Sequence, residues 1–238
     1  MLGKEVYNDK KGEGLPDIFF DYVYNDCSHN FHINNSKVLD IGGGIGIATG
    51  YLKNKSGNHL ILSDVSEKCL NEAKSCDRAN EYLLLDASKD IIPLLENSID
   101  CVLLFDCLEH MSDPYFALSE AKKVCKERGL FYISIPDEKQ HEGYRGHNHA
   151  FVYPGLFYEE NFRRFLKQMY LKILFHKVIK NTKTSHRIYE SDNSESYTNV
   201  EPLHHLFICE NFKTDRDILK LITEDFNEKD LNYPKHEA

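Results

Sequence analysis

The chain has 238 residues, 41% apolar and 28% charged, with 29 basic side chains against 38 acidic ones and a formal charge of -9. That composition excludes disorder and a collagen-like repeat, and the length fits one large domain. An acidic balance leaves no broad basic face for gripping phosphate backbones, so nucleic acid is not expected as a partner.

Seven cysteines, at 27, 69, 76, 101, 107, 125 and 209, make an odd number with no C-x-x-C spacing. They read as reduced thiols of a cytoplasmic protein. The opening MLGKEVYNDKKGEG lacks an apolar signal region, and apolar runs such as 101–105 are far too short for a bilayer, so no membrane attachment is expected.

Residues 1–35 place Ile18, Phe19, Tyr22 and Val23 at helical spacing, which predicts an N-terminal cap or lid helix. From Lys37 onward the runs KVLDI, HLILSD, EYLLLD, DCVLLFD and LFYISIPD predict five buried strands within 36–137. Helical periodicity follows three of them, in IATGYLKNK, SEKCLNEAKSC and DPYFALSEAKKVCKERG. Such alternation requires right-handed crossovers and a mostly parallel sheet with helices on both faces. Ligands of such sheets bind beyond the strand C-terminal ends. Over 138–212 the pattern predicts one helix in 155–171 and strands at 171–180 and 204–211, joined by a polar loop or flap. The tail 213–238 holds a short helical pattern, RDILKLITEDF.

Four glycines crowd VLDIGGGIG between the first strand and the first helix. Glycine tolerates positive φ and lets a ligand approach bare main chain, while the following helix offers unpaired N–H groups. The dinucleotide fingerprint G-x-G-x-x-G fails here, because Ile47 occupies its sixth place. The residues instead fit D-x-G-x-G-x-G, with Asp40, Gly42, Gly44 and Gly46 in register and Gly43 between them.

On these residues the chain resembles the Rossmann-like (class I) S-adenosylmethionine-dependent methyltransferases, over roughly Lys37 to Asp137 and more faintly over the last two strands. The resemblance implies a single methyltransferase domain with a seven-stranded sheet in the order 3-2-1-4-5-7-6, its last strand antiparallel. It further implies S-adenosylmethionine as cofactor and S-adenosylhomocysteine as product. In that family an acid at the end of the second strand, here Asp64 beside Val65, accepts hydrogen bonds from the ribose hydroxyls, although Asp64 would also serve as an N-cap for the next helix. Asp86 with Ala87 holds the place of the adenine contact, or of a simple turn residue. Asp40 steadies the glycine loop, with or without contact to the ligand's ammonium group. Phe105 and Asp106 lie where the family passes beneath the methionine portion, and His110 has a structural or pocket-lining place.

Methyl transfer from a sulfonium depends on alignment and exclusion of water. A hydroxyl acceptor must also lose a proton, for which histidine is suited. The segment after the fifth strand offers His147 and His149 as the expected base, with His141, Tyr144 and Arg145 available to grip the acceptor. No spacing matches a strong metal signature, and no metal is expected. His204 and His205 open a strand in which alternation sends one inward and one outward, and no role is assigned to them. The chain lacks an [N/D]-Pro-Pro-aromatic motif and any Pro-Cys pair, which excludes the usual DNA methylation chemistries. The expectation is a monomer or homodimer that methylates a small molecule, most simply at a hydroxyl oxygen. The alternatives are nitrogen methylation, a nicotinamide-dependent oxidoreductase, and a cofactor-binding protein without catalysis.

Overall fold

The computed structural model describes residues 33–54, 57–138, 153, 155–180 and 203–213. The expected cap helix, His141, Tyr144, Arg145, His147, His149, most of the polar connection after 180 and the C-terminal helical pattern lie outside the described residues.

In chain order the elements are β1 (Lys37–Ile41), α1 (Ile47–Lys53), β2 (His59–Asp64), α2 (Glu67–Ser75), β3 (Glu81–Leu84), β4 (Ile99–Phe105), a 3-10 turn (Leu108–His110), α3 (Pro114–Val124), β5 (Cys125–Pro136), α4 (Glu159–Gln168), β6 (Leu171–Lys180) and β7 (Leu203–Asn211). The strands form one seven-stranded sheet ordered β3-β2-β1-β4-β5-β7-β6. β1 to β5 pair in parallel, and β7 runs antiparallel to both β5 and β6. The expected order and the reversed last strand are therefore observed.

The central strands are apolar on both faces because helices cover both. Leu39, Ile41, Val102 and Leu104 pack under α3 and α4, while Val38, Leu60, Leu62 and Leu103 pack under α1 and α2. Local chemistry sets the helix starts. Asp113 accepts from the Phe116 amide at 2.8 Å, with Pro114 at the first helical position. Ser66, not Asp64, caps α2, taking the Cys69 amide at 3.3 Å.

One expected boundary moves. The helical pattern that continues through Lys126 and Arg128 stops at Val124, and Cys125 opens β5 instead by pairing with Ile99. Arg128 turns the chain there at φ 64°, and its guanidinium pairs with Glu210 on β7 at 3.0 Å. Tertiary pairing thus overrides good helix propensity. The described cysteines are free thiols. Among the described residues no helix is long and apolar enough to cross a membrane.

Candidate active site

The loop between β1 and α1 is pinned from below: the Gly42 and Gly43 amides both donate to the Ser63 carbonyl, at 2.9 and 3.2 Å. Gly44 has φ +57°, and a Cβ added there would meet no described residue within 4 Å, so left-handed main chain faces open space among the described residues. At Gly43 an added Cβ would lie 2.4 Å from Leu62 Cδ1 and 2.6 Å from the Asp40 carboxyl. One glycine presents backbone to a ligand, and its neighbour lets the loop lie down on the sheet.

Two carboxylates hold this loop. Asp64 Oδ2 accepts from the Gly44 amide at 2.8 Å and Oδ1 from the Ser66 amide at 2.7 Å. A carboxylate has about four acceptor sites, so both oxygens keep capacity for hydroxyl groups of a ligand. Asp40 is 1% exposed, and its Oδ2 accepts from Thr49 Oγ1 at 2.5 Å. Its Oδ1 is buried with no hydrogen bond to a described residue. Burial raises the Asp40 pKa to about 7, against the Thr49 bond that lowers it and with help from nearby Asp64. An orphaned acid oxygen beside an open glycine cradle fits a cationic ligand group.

Asp86 is engaged locally: Oδ1 takes the Ser88 amide at 3.2 Å and Oδ2 meets Lys89 Nζ at 2.9 Å, which realises its turn role. Ala87 is buried, and Val65 is half-buried.

The end of β4 carries the densest chemistry. Asp106 sits at φ 47°, a conformation that costs energy for a non-glycine residue. Its Oδ1 accepts from Ser134 Oγ at 2.7 Å, and His204 Nδ1 approaches the same oxygen at 3.2 Å. Phe105, just before it, packs against the α1-side core. Glu109, in the 3-10 turn, is completely buried, and neither of its carboxyl oxygens has a hydrogen bond to a described residue. Burial, and then Asp106, push its pKa well above the carboxylate range. His110 Nε2 stands 3.6 Å from Glu109 Oε1.

His205, next along β7, turns to the opposite face. His176 Nε2 and His205 Nδ1 are 3.0 Å apart, with the rings 13° from coplanar and their centroids 5.3 Å apart. That separation equals the N···N distance plus a ring radius on each side, so the hydrogen bond runs in the plane of both rings. Arg163 Nη2, which can only donate, lies 2.5 Å from His176 Nδ1 and so assigns the shared proton to His176 Nε2. Burial and this guanidinium lower the His176 pKa to about 4. Glu159 brackets the pair at 3.5 Å from His176 Nδ1 and 3.9 Å from His205 Nδ1. Glu159, His176 and His205 are ligand types close enough to share a metal ion. Yet nitrogen lone pairs facing along one line of 3.0 Å cannot converge on an ion whose bonds are about 2.0–2.1 Å long. That line fits a proton.

The structure thus brings together Asp40, the glycine loop, Asp64 and Asp106 at one rim. Sequence reasoning missed His204, His205, His176 and Glu109. A signal for the first two was present, since they open a strand that the resemblance places antiparallel beside β5. Nothing local points to Glu109 as an orphaned acid.

A glycine loop leaving β1, an acid ending β2 and the sheet order 3-2-1-4-5-7-6 are features this chain shares with the Rossmann-like S-adenosylmethionine-dependent methyltransferases. Residues 39–133 match the family described as methyltransferase domain. The ubiquinone/menaquinone biosynthesis C-methyltransferase of Rickettsia typhi is 33% identical over 118 residues, covering 46% of this chain and 47% of that protein. The 2-methyl-6-phytyl-1,4-hydroquinone methyltransferase 1 of Oryza sativa is 27% identical over 101 residues, covering 42% of this chain and 31% of that protein. The chain spans about half the length of the first relative and less of the second. A SAM-dependent methyltransferase from Methanosarcina mazei shares the fold, with a TM-score of 0.59 at 18% identity over 78% of this chain and 97% of that one.

Proposed function

We propose that the protein transfers a methyl group from S-adenosylmethionine to a hydroxyl oxygen of a small molecule. The observation that carries this reading is the open Gly44 cradle joined to Asp64, with the orphaned Asp40 oxygen behind it. When bound, S-adenosylmethionine supplies an electrophilic methyl carbon on a sulfonium. Gly42, Gly43, Gly44 and Gly46 bring main chain up to the methionine and ribose portions, and Asp64 accepts from the ribose hydroxyls. Asp86 and Ala87 line the adenine side, where the Asp86 carboxylate can leave its Lys89 partner, an exposed contact of small worth. Phe105 and Asp106 floor the methyl end.

The chain's own work is alignment and the handling of one proton, since a hydroxyl is a poor nucleophile until it gives its proton away. A second reading, methylation at a ring carbon of a hydroquinone, draws on the printed names of the two relatives above. In both readings the acceptor carries an ionisable hydroxyl, so the same site serves.

The test is calorimetric titration with S-adenosylmethionine, followed by incubation with hydroquinone and mass analysis of the product. Binding and the gain of one methyl group are expected, and the position of that methyl separates oxygen from carbon. A folded sample that gives no heat at millimolar ligand would end the methyltransferase reading.

A further inference from the structure

Resting on the function proposed above, we infer that His204 is the group that takes the acceptor's proton, and that Asp106 positions it. β7 runs antiparallel to β5, so its first residues lie where β5 ends: His204 is opposite Pro136, and Leu206 is opposite Ser134. Side chains alternate along a strand, which puts His204 and Leu206 on the α1 side of the sheet and His205 and Phe207 on the α4 side. His204 therefore shares a face with the helix that leaves the glycine loop. Asp106 belongs to the same corner, because the next residue, Cys107, touches that loop: a Cβ on Gly42 would come within 2.8 Å of the Cys107 Cβ.

The pairing fixes the ring. Asp106 Oδ1 meets His204 Nδ1 at 3.2 Å, and Ser134 Oγ, donating to the same oxygen at 2.7 Å, keeps the carboxylate from turning away. A carboxylate only accepts, so Nδ1 carries the proton and Nε2 presents a basic lone pair on the far side of the ring. Nε2 has no hydrogen bond to a described residue, whereas His176 of the second histidine pair has both nitrogens committed. His204 is 9% exposed, so little water competes for that lone pair. Among the described residues Asp106 is the charged group that acts on it, and Asp106 also acts on Glu109. His205 faces the other layer. The result is a proton acceptor held by a carboxylate at the rim where the cofactor's methyl end is placed.

The step balances. The acceptor's O–H bond breaks and its proton goes to His204 Nε2, giving an imidazolium paired with Asp106. The freed oxygen pair forms the new bond to the methyl carbon while the carbon–sulfur bond breaks and sulfur keeps its pair, becoming a neutral thioether.

The experiment uses the full chain labelled with ¹⁵N-histidine and saturated with S-adenosylhomocysteine, in wild-type, His204→Gln and Asp106→Asn forms. Multiple-bond ¹H–¹⁵N spectra should show a ring, absent in His204→Gln, that carries its proton on Nδ1 and titrates above the usual histidine range. In Asp106→Asn its midpoint should fall. With hydroquinone as acceptor, kcat of His204→Gln should drop about 10²–10⁴-fold, the usual worth of a positioned base, with cofactor affinity and melting temperature retained. The acid limb of the wild-type pH profile should move to lower pH in Asp106→Asn. A proton found on Nε2, a midpoint unmoved by Asp106→Asn, or full turnover by His204→Gln would overturn the assignment, the first two whether or not hydroquinone is an acceptor. Absence of S-adenosylmethionine binding would instead remove the methyltransferase reading, and the ring's tautomer would still be measured.

Discussion

The Asp64 carboxylate accepts the Gly44 amide at 2.8 Å and so ties the end of β2 to the middle of the glycine loop, 20 residues earlier in the chain. The acid expected to meet the ribose thus also shapes the loop beside it. Replacing Asp64 with Ala removes ligand contacts and loosens Gly44 together. We expect a loss of S-adenosylmethionine affinity of about 1–3 kcal/mol, with Asp64→Asn intermediate because its amide retains one acceptor oxygen. Calorimetry of both variants checks this, and unchanged affinity in Asp64→Ala would place the ribose elsewhere.

The glycines should separate folding from binding. An added methyl at Gly43 runs into Leu62 and the Asp40 carboxyl, so Gly43→Ala should unfold at a clearly lower temperature. At Gly44 the methyl enters open space at φ +57°, a modest strain. Gly44→Ala should therefore lose about 1–2 kcal/mol of stability to backbone strain, less than Gly43→Ala, while losing more cofactor affinity. Melting curves with and without ligand give both values, and equal losses in the two columns would refute the division.

Asp40 should make cofactor binding release protons. Its pKa of about 7 lies above the ordinary 3.8, so near neutrality the buried group is partly protonated. A cationic ammonium brought to its orphaned oxygen favours the charged form and expels that proton. Binding enthalpies measured near pH 7 in phosphate and in Tris should differ in the sense of proton release. Asp40→Asn should abolish the difference.

Glu109 should weaken the fold as pH rises. A folded-state pKa raised above the ordinary 4.5 means that the contribution is present below that value and is lost on the way up to the raised one. Glu109→Gln keeps the shape without an ionisable proton. The gap in melting temperature between variant and wild type should widen in the variant's favour from pH 5 to pH 8, and a constant gap would show that Glu109 is already ionised in the folded protein at pH 5, with no raised pKa.

Much of this was legible in the amino-acid order, and the limits are physical. The D-x-G-x-G-x-G register and the acid ending β2 are local, set by what a tight strand-to-helix turn permits, and the structure has them where expected. Asp64 as a helix cap is corrected, because Ser66 stands one residue before the first turn and takes the Cys69 amide. The start of β5 reads as helix because Lys126, Glu127 and Arg128 favour one, and only the pairing of Cys125 with Ile99 shows otherwise. His204 was unreadable for a different reason: its carboxylate partner is 98 residues away. Alternation along a strand separates His204 from His205 but cannot reveal that each finds its own set of partners. His147 and His149, expected as the base, lie outside the described residues.

The reversal of β7 decides which of its residues reach the rim. Were the seventh strand parallel, its opening residues would sit on the floor of the sheet, remote from any ligand. Because it points the other way, whatever pair of amino acids happens to begin it is delivered to the working rim. Substitutions at 204 and 205 would therefore change the chemistry of that rim while leaving the glycine loop and the Asp64 carboxylate untouched.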